Sequence, residues 1–306
     1  MTRPLVLVTE SLSDTAAAWL AERCDVVRCA ADDPRFHAEL RRADAMIVRT
    51  YTIVDEAMLA GAPRLRVVGR AGAGVDNIDV EACKRRGIVV CSTPDANTQA
   101  VVEYVLALML DALRPRAILD RAVSKDSWNH MRASIVGERQ LADVTLGILG
   151  MGRIGRRVAE IAAVIGMGVF YNDLVEIEPR HRHRAEPVDV ARLFAISDVL
   201  TIHIDGRESN RRFVSPQLIE RMKANVVLIN TSRGFVIDAP SLAAFLRQNP
   251  GATAMLDVHE PEPIPPDYPV LGLPNARLYP HLASRTHSAM ENMSWVVRDV
   301  WAALRA

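Results

Sequence analysis

Short apolar runs alternate with stretches of helical spacing almost from one end of the chain to the other, the pattern of parallel α/β domains. In the first half the strand candidates are Leu5–Thr9, Asp25–Arg28, Ala45–Val48, Arg66–Gly69 and Ile88–Cys91. Asp14–Arg23 and Asp55–Ala60 between them have helical spacing, and a long apolar helix runs from Thr98 to Leu113, closed by Pro115. Residues 116–143 are more polar and predict a helix followed by an extended arm. A second series opens at Val144–Leu149 and continues with strand candidates Val169–Asn172, Val199–His203, Val226–Asn230 and Ala254–Val258. Ser215 before Pro216, and Asp238, are helix starts. The six prolines between Glu260 and Pro274 exclude regular structure there, and a final amphipathic helix ends near Leu304.

Composition narrows the class. The 306 residues suffice for two domains; 49% are hydrophobic and 24% charged, as in a soluble globular protein. Thirty-seven basic residues balance 37 acidic ones, which argues against nucleic acid and against an anionic membrane as partners. No apolar run is long enough to span a bilayer, and Met1-Thr2-Arg3-Pro4 leads straight into a strand rather than a signal sequence. Cys24, Cys29, Cys83 and Cys91 form no CxxC pair and read as reduced thiols of a cytoplasmic protein, with no metal site. The basic run Arg180-His181-Arg182-His183-Arg184 reads as a solvated loop, with phosphate or metal binding as the alternative.

Gly150-x-Gly152-x-x-Gly155 carries the first specific chemistry. Sixteen glycines would give such spacing by chance, but here an apolar strand precedes it and the helical pattern Ile154, Val158, Ile161, Ala162, Ile165 follows. Gly150 permits the tight turn, Gly152 lets the backbone approach a pyrophosphate, and Gly155 lets helix and strand pack closely. Asp173, about 20 residues on, would accept a ribose hydroxyl and repel a 2′-phosphate, which selects NAD over NADP. Arg233, Glu262 and His281 each follow a later strand, where ligands bind in open α/β sheets. Hydride transfer at a carbonyl carbon needs a proton donor, a cation for a carboxylate and a group that tunes the donor; His281, Arg233 and Glu262 supply these types.

With these motifs in order, the chain resembles the D-isomer-specific 2-hydroxyacid dehydrogenases, within them the D-3-phosphoglycerate dehydrogenases, over nearly its whole length. Arg66-Val67-Val68-Gly69-Arg70-Ala71-Gly72-Ala73-Gly74-Val75-Asp76-Asn77-Ile78-Asp79 resembles the family's substrate-loop signature, and Asn97–Glu103 the entry to its interdomain helix. Asn230-Thr231-Ser232-Arg233-Gly234, Asp257-Val258-x-x-x-Glu262-Pro263 and Pro280-His281 follow in the family's order. The resemblance implies two Rossmann/flavodoxin-like parallel-sheet domains with a cleft between them. One is a discontinuous substrate domain, residues 1–100 and 284–306; the other, 101–283, binds NAD. It implies Arg233, Glu262 and His281 as catalytic residues. Gly150, Gly152, Arg153, Ile154, Gly155, Asp173, Thr231, Ser232, Arg233, Asp257, His281 and Ser284 would contact NAD, and Arg49, Thr52, Ala73 and Gly74 would lie near the substrate. It further implies a homodimer formed through the Thr98–Leu113 helix and its arm, and a short form without a regulatory domain.

Three stretches depart from the family. His203-Ile204-Asp205-Gly206-Arg207 stands where relatives have His-x-Pro-Leu-Thr, Arg285 interrupts a run of small residues after His281, and Ala73 replaces a threonine. The expected activity is NAD-dependent interconversion of a small anionic D-2-hydroxy acid and its 2-oxo acid, phosphoglycerate dehydrogenase-like, with glyoxylate or hydroxypyruvate reduction as the alternative. Glu262 argues against formate dehydrogenase chemistry, where glutamine pairs with the histidine. An NAD-binding corepressor with little catalysis is the reading from another class.

Overall fold

The computed structural model describes residues 3–137 and 139–306, which fold as two compact units: residues 3–100 with 284–306, and residues 101–283.

In the first unit β1 (Leu5–Val8), β2 (Asp25–Arg28), β3 (Ala45–Val48), β4 (Val67–Arg70) and β5 (Val89–Ser92) form a wholly parallel sheet in the order β2-β1-β3-β4-β5. Its middle strands are continuous apolar runs because both faces are covered. Leu7, Met46, Val48 and Val68 point to one face, against Phe36 and Leu40 of α2 (Phe36–Arg42), Leu59 of α3 (Glu56–Ala60) and Cys83 of α4 (Val80–Arg85). Val6, Val8, Ile47 and Val67 point to the other. There they meet Ala16 and Leu20 of α1 (Asp14–Ala21) and Val296, Val297 and Val300 from the end of the chain.

α5 (Thr98–Leu113) carries the chain into the second unit, and α6 (Lys125–Ser134) follows. The sheet is again wholly parallel: β6 (Thr145–Leu149), β7 (Gly168–Asn172), β8 (Glu186–Pro187), β9 (Val199–Ile202), β10 (Val227–Asn230), β11 (Thr253–Leu256) and β12 (Ala276–Leu278). Its order, β12-β11-β10-β9-β6-β7-β8, reverses between β6 and β9, as in doubly wound dinucleotide-binding sheets. α5 and α7 (Arg153–Ile165) cover one face through Val102, Val105, Met109, Val158 and Ala162. α8 (Val190–Ile196), α9 (Pro216–Ile219) and α10 (Ala239–Gln248) cover the other through Phe194, Ile219, Leu242 and Leu246.

Several elements differ from the sequence reading. The described residues of 116–143 hold one α-helix, α6; an irregular stretch precedes it, and it starts where Ser124 accepts the Ser127 N–H at 3.1 Å. The last helix is two, α11 (His287–Ser294) and α12 (Val296–Arg305). The break falls at Trp295, whose N–H bonds to the Asn292 carbonyl at 3.3 Å; beside it the Ser294 hydroxyl donates to the Met290 carbonyl at 2.7 Å and accepts the Ser13 N–H at 2.9 Å. Ser215 begins only one turn, and its side chain makes no capping bond. The basic run is a loop with local partners: Arg182 donates to the Ile177 carbonyl at 2.6 Å, and Arg180 pairs with Glu178 at 2.7 Å. Among the described residues no cluster of three His, Cys, Asp or Glu could hold a metal, the four cysteines are free, and no helix is long and apolar enough to cross a membrane.

Candidate active site

In the second unit the loops after β6 and β9 flank the reversal of strand order. Gly150 closes β6 with φ +98°, and a Cβ there would lie 2.8 Å from the His203 carbonyl carbon. The two loops therefore touch through bare backbone. A Cβ on Gly155 would strike the Gly150 carbonyl, so α7 packs on β6 only with glycine at that position. Gly152 is the N-cap of α7, and nothing lies within 4 Å of where its Cβ would stand. The open side of that glycine and the unpaired N–H groups of the helix start form a place for a pyrophosphate.

Asp173, just past β7, accepts the Met151 N–H at 2.6 Å and the Val175 N–H at 3.1 Å. It thus reaches the glycine loop itself. Arg207, in the stretch that departs from the family pattern, bears electrostatically on Asp173 but is held by Asp205 through bonds of 2.7 and 2.5 Å. Asn210 braces the same turn, donating to the Asp205 carboxylate and carbonyl at 3.0 Å.

Three further loops leave the adjacent strands β10, β11 and β12. After β10, Asn230 accepts the Ser232 N–H and hydroxyl at 3.0 and 2.8 Å and donates to the Arg233 carbonyl at 2.9 Å. Arg233 donates one guanidinium bond to the Ser232 carbonyl at 2.7 Å. The Thr231 hydroxyl is buried and has no hydrogen-bond partner among the described residues, and a buried unsatisfied group of this kind is costly unless a ligand completes it. Together with the open Gly152 loop, this orphan hydroxyl fits a bound dinucleotide.

After β11, Glu262 splits its carboxylate: Oε1 accepts the His259 N–H at 2.9 Å, and Oε2 faces His281 Nδ1 at 2.9 Å. Burial opposes the Glu262 charge, but the His281 hydrogen bond and charge, with the His259 N–H, outweigh it and hold the carboxyl below its ordinary range. His281, after β12, has φ +56°, a conformation that needs external support. Asp257 provides it. Its carbonyl accepts the His281 N–H at 3.0 Å, and its two side-chain oxygens accept the Leu282 and Ala283 N–H groups at 2.8 Å each. Burial pushes the Asp257 carboxyl up even against those two bonds. Asp257 thus holds the histidine turn. His259, which sequence reasoning passed over, also fastens this turn by a 2.8 Å bond between Nε2 and the Tyr279 carbonyl. Nothing local in the sequence singles it out, since its partner lies on another strand.

The remaining candidates lie in the first unit. Thr52 is buried, its hydroxyl 2.7 Å from that of Thr9. Asn77 donates to the carbonyls of Arg49 and Thr52 at 3.0 and 2.7 Å, tying the loop that carries Ala73 and Gly74 to the one that carries Arg49. Ser284 begins the second segment of this unit.

The second unit is a dinucleotide-binding domain by strand order and glycine loop. A family model described as the D-isomer specific 2-hydroxyacid dehydrogenase NAD binding domain matches residues 106–283. The chain belongs to that family of NAD-dependent oxidoreductases, and it uses NAD. It is 34% identical over 297 residues to a D-3-phosphoglycerate dehydrogenase of Archaeoglobus fulgidus, with 96% of the chain aligned but only 56% of that protein. It is 36% identical over 315 residues to a glyoxylate reductase of Aeropyrum pernix, covering 98% of the chain and 92% of that protein. A D-lactate dehydrogenase from Aquifex aeolicus, solved with NAD and lactic acid, superposes with a TM-score of 0.85 at 25% identity, covering 98% of this chain and 95% of that one.

Proposed function

We propose that this chain interconverts a D-2-hydroxy acid and its 2-oxo acid, with His281, Glu262 and Arg233 as the acting residues. The observation that carries the reading is the 2.9 Å contact between His281 Nδ1 and Glu262 Oε2, one strand from Arg233. The chemistry that bound NAD would supply is hydride acceptance in oxidation and, in its reduced form, hydride donation. The chain's own residues handle proton and charge. With Nδ1–H donating to Glu262, Nε2 is the ring atom left to take the hydroxyl proton in oxidation and to return it to the carbonyl oxygen in reduction. Arg233 matches the substrate carboxylate with a planar fork. The Gly150–Gly155 loop, Arg153, Ile154 and Thr231 hold the dinucleotide, with Asp173 on the adenosine ribose.

A phosphoglycerate-like acid is the first substrate candidate, supported by the arginine at position 49 and by the A. fulgidus relative. Glyoxylate or hydroxypyruvate is the second, supported by the A. pernix relative, whose length this chain nearly spans. A homodimer is part of the same proposal. Ile118 is 94% exposed, and Leu119 and Trp128 are also exposed, beside a concavity of about 330 Å³ lined by Pro115, Met131 and Ile135. Such an apolar face suits an isologous contact with a second copy.

The test is NADH oxidation against 3-phosphohydroxypyruvate, hydroxypyruvate, glyoxylate and pyruvate. Turnover of at least one at ordinary enzyme rates is expected; NADH binding without turnover of any of them contradicts the proposal and favours a corepressor-like role.

A further inference from the structure

β11 lies between β10 and β12 in the sheet, so the loop after it separates the loop that carries Arg233 from the one that carries His281. His259 stands in that middle loop and is buried. Its backbone meets two members of the proposed set. A Cβ on Gly234, next to Arg233, would strike the His259 carbonyl and Cα, so the arginine loop lies directly on His259. The His259 N–H donates to Glu262 Oε1 at 2.9 Å, which leaves Oε2 to face His281.

The side chain reaches the third loop. Nε2 lies 2.8 Å from the Tyr279 carbonyl oxygen, and a carbonyl only accepts, so Nε2 carries the proton. The same oxygen accepts the His281 N–H at 3.0 Å. The imidazole of His259 and the backbone of His281 thus share one acceptor, in the turn where His281 has φ +56°. The bond comes at a cost. His259 Nδ1 is buried and has no hydrogen-bond partner among the described residues. The ring packs edge to face on the buried Tyr268, with centroids 5.5 Å apart. A phenyl ring would fill that space with no stranded nitrogen, and the Tyr279 carbonyl would still hold the His281 N–H. Packing alone therefore does not account for an imidazole at this position; the bond to Tyr279 does.

We propose that His259 is a positioning residue for the reaction: its Nε2–H on the Tyr279 carbonyl fixes the His281 turn against Glu262 and so sets where the His281 ring stands for proton transfer. Its N–H holds the carboxylate and its ring holds the histidine turn, so one residue fastens both ends of the couple. His259 acts through these groups and not on the reacting atoms. The inference rests on the dehydrogenase reading above and deepens it.

The test is the single-turnover rate of NADH oxidation by stopped flow, which reads the steps up to and including hydride transfer. The acid is 3-phosphohydroxypyruvate, hydroxypyruvate or glyoxylate, whichever wild type reduces fastest. The rate is measured in wild type, His259→Phe and His259→Gln, with NADH affinity by fluorescence and the thermal midpoint of each. His259→Phe keeps the packing on Tyr268 and loses the donor; its rate should fall about three- to tenfold, the effect of one hydrogen bond, with NADH affinity and thermal midpoint close to wild type. His259→Gln carries an amide N–H that can reach the Tyr279 carbonyl, and most of the rate should return. A wild-type rate in His259→Phe, or a fall that His259→Gln does not relieve, overturns the assignment and leaves the dehydrogenase reading standing. A loss of thermal stability without a loss of rate also overturns it, and gives His259 to the fold alone. No turnover of any of the three acids by wild type overturns both readings.

Discussion

Glu262 and His281 are separated by 19 residues and held together by one hydrogen bond, which favours the ionised Glu262 carboxylate. Because the Glu262 carboxyl sits below its ordinary range, its contribution to stability is fully present above the unfolded value of about 4.3. That contribution is lost only as the pH falls through the lower, folded value. The pair should therefore stay intact well into the acid range. In Glu262→Gln the ring loses the carboxylate that Nδ1 faces at 2.9 Å and that fixes its orientation. kcat for reduction should fall while NADH affinity is kept; an unchanged kcat would assign the orientation of the ring to another group. At this scale the sequence makes the reactive residue types legible, because each stands just after an apolar run. It hides the brace. His259 and the backbone-holding role of Asp257 depend on partners that follow the neighbouring strand, and Asn230 on the conformation of its own turn.

Among the elements, the strand–loop–helix β6–α7 was legible in full. Its glycine spacing is a packing requirement as well as a binding one, since a Cβ on Gly155 meets the Gly150 carbonyl. Gly155→Ala should cost about 1–3 kcal/mol of stability in thermal or denaturant unfolding, and NAD affinity should fall with it. Asp173 lies beyond β7 with its carboxylate on the glycine loop, and Arg207 is already occupied by Asp205. NADH should therefore be used with far higher efficiency than NADPH; comparable efficiencies would mean that Arg207 leaves Asp205 for a 2′-phosphate. The elements missed were the short ones. α2 and α8 are seven residues long and α4 six, each burying only two residues, too few to show a helical period. β8 is two exposed residues at a sheet edge. The split between α11 and α12 falls beside Ser294, whose hydroxyl is bonded by Ser13, 281 residues away.

For the whole molecule, the alternation of runs was sufficient to read two parallel α/β sheets, and both are present with 5 and 7 strands. Their strand orders place both reversals at loops rich in candidate chemistry, which no local pattern reveals. The exposed apolar arm at Ile118, Leu119 and Trp128 predicts a dimer by light scattering at micromolar concentration, with Trp128→Glu shifting it to monomer; a monomeric wild type removes the arm from the account. The central claim is that His281 moves the proton. It is tested most directly by kcat/KM of His281→Ala for the best 2-oxo acid, alongside NADH affinity by fluorescence titration. The account predicts a loss of roughly two or more orders of magnitude at every pH, with NADH affinity close to wild type. Reduction by His281→Ala at the wild-type rate would contradict it.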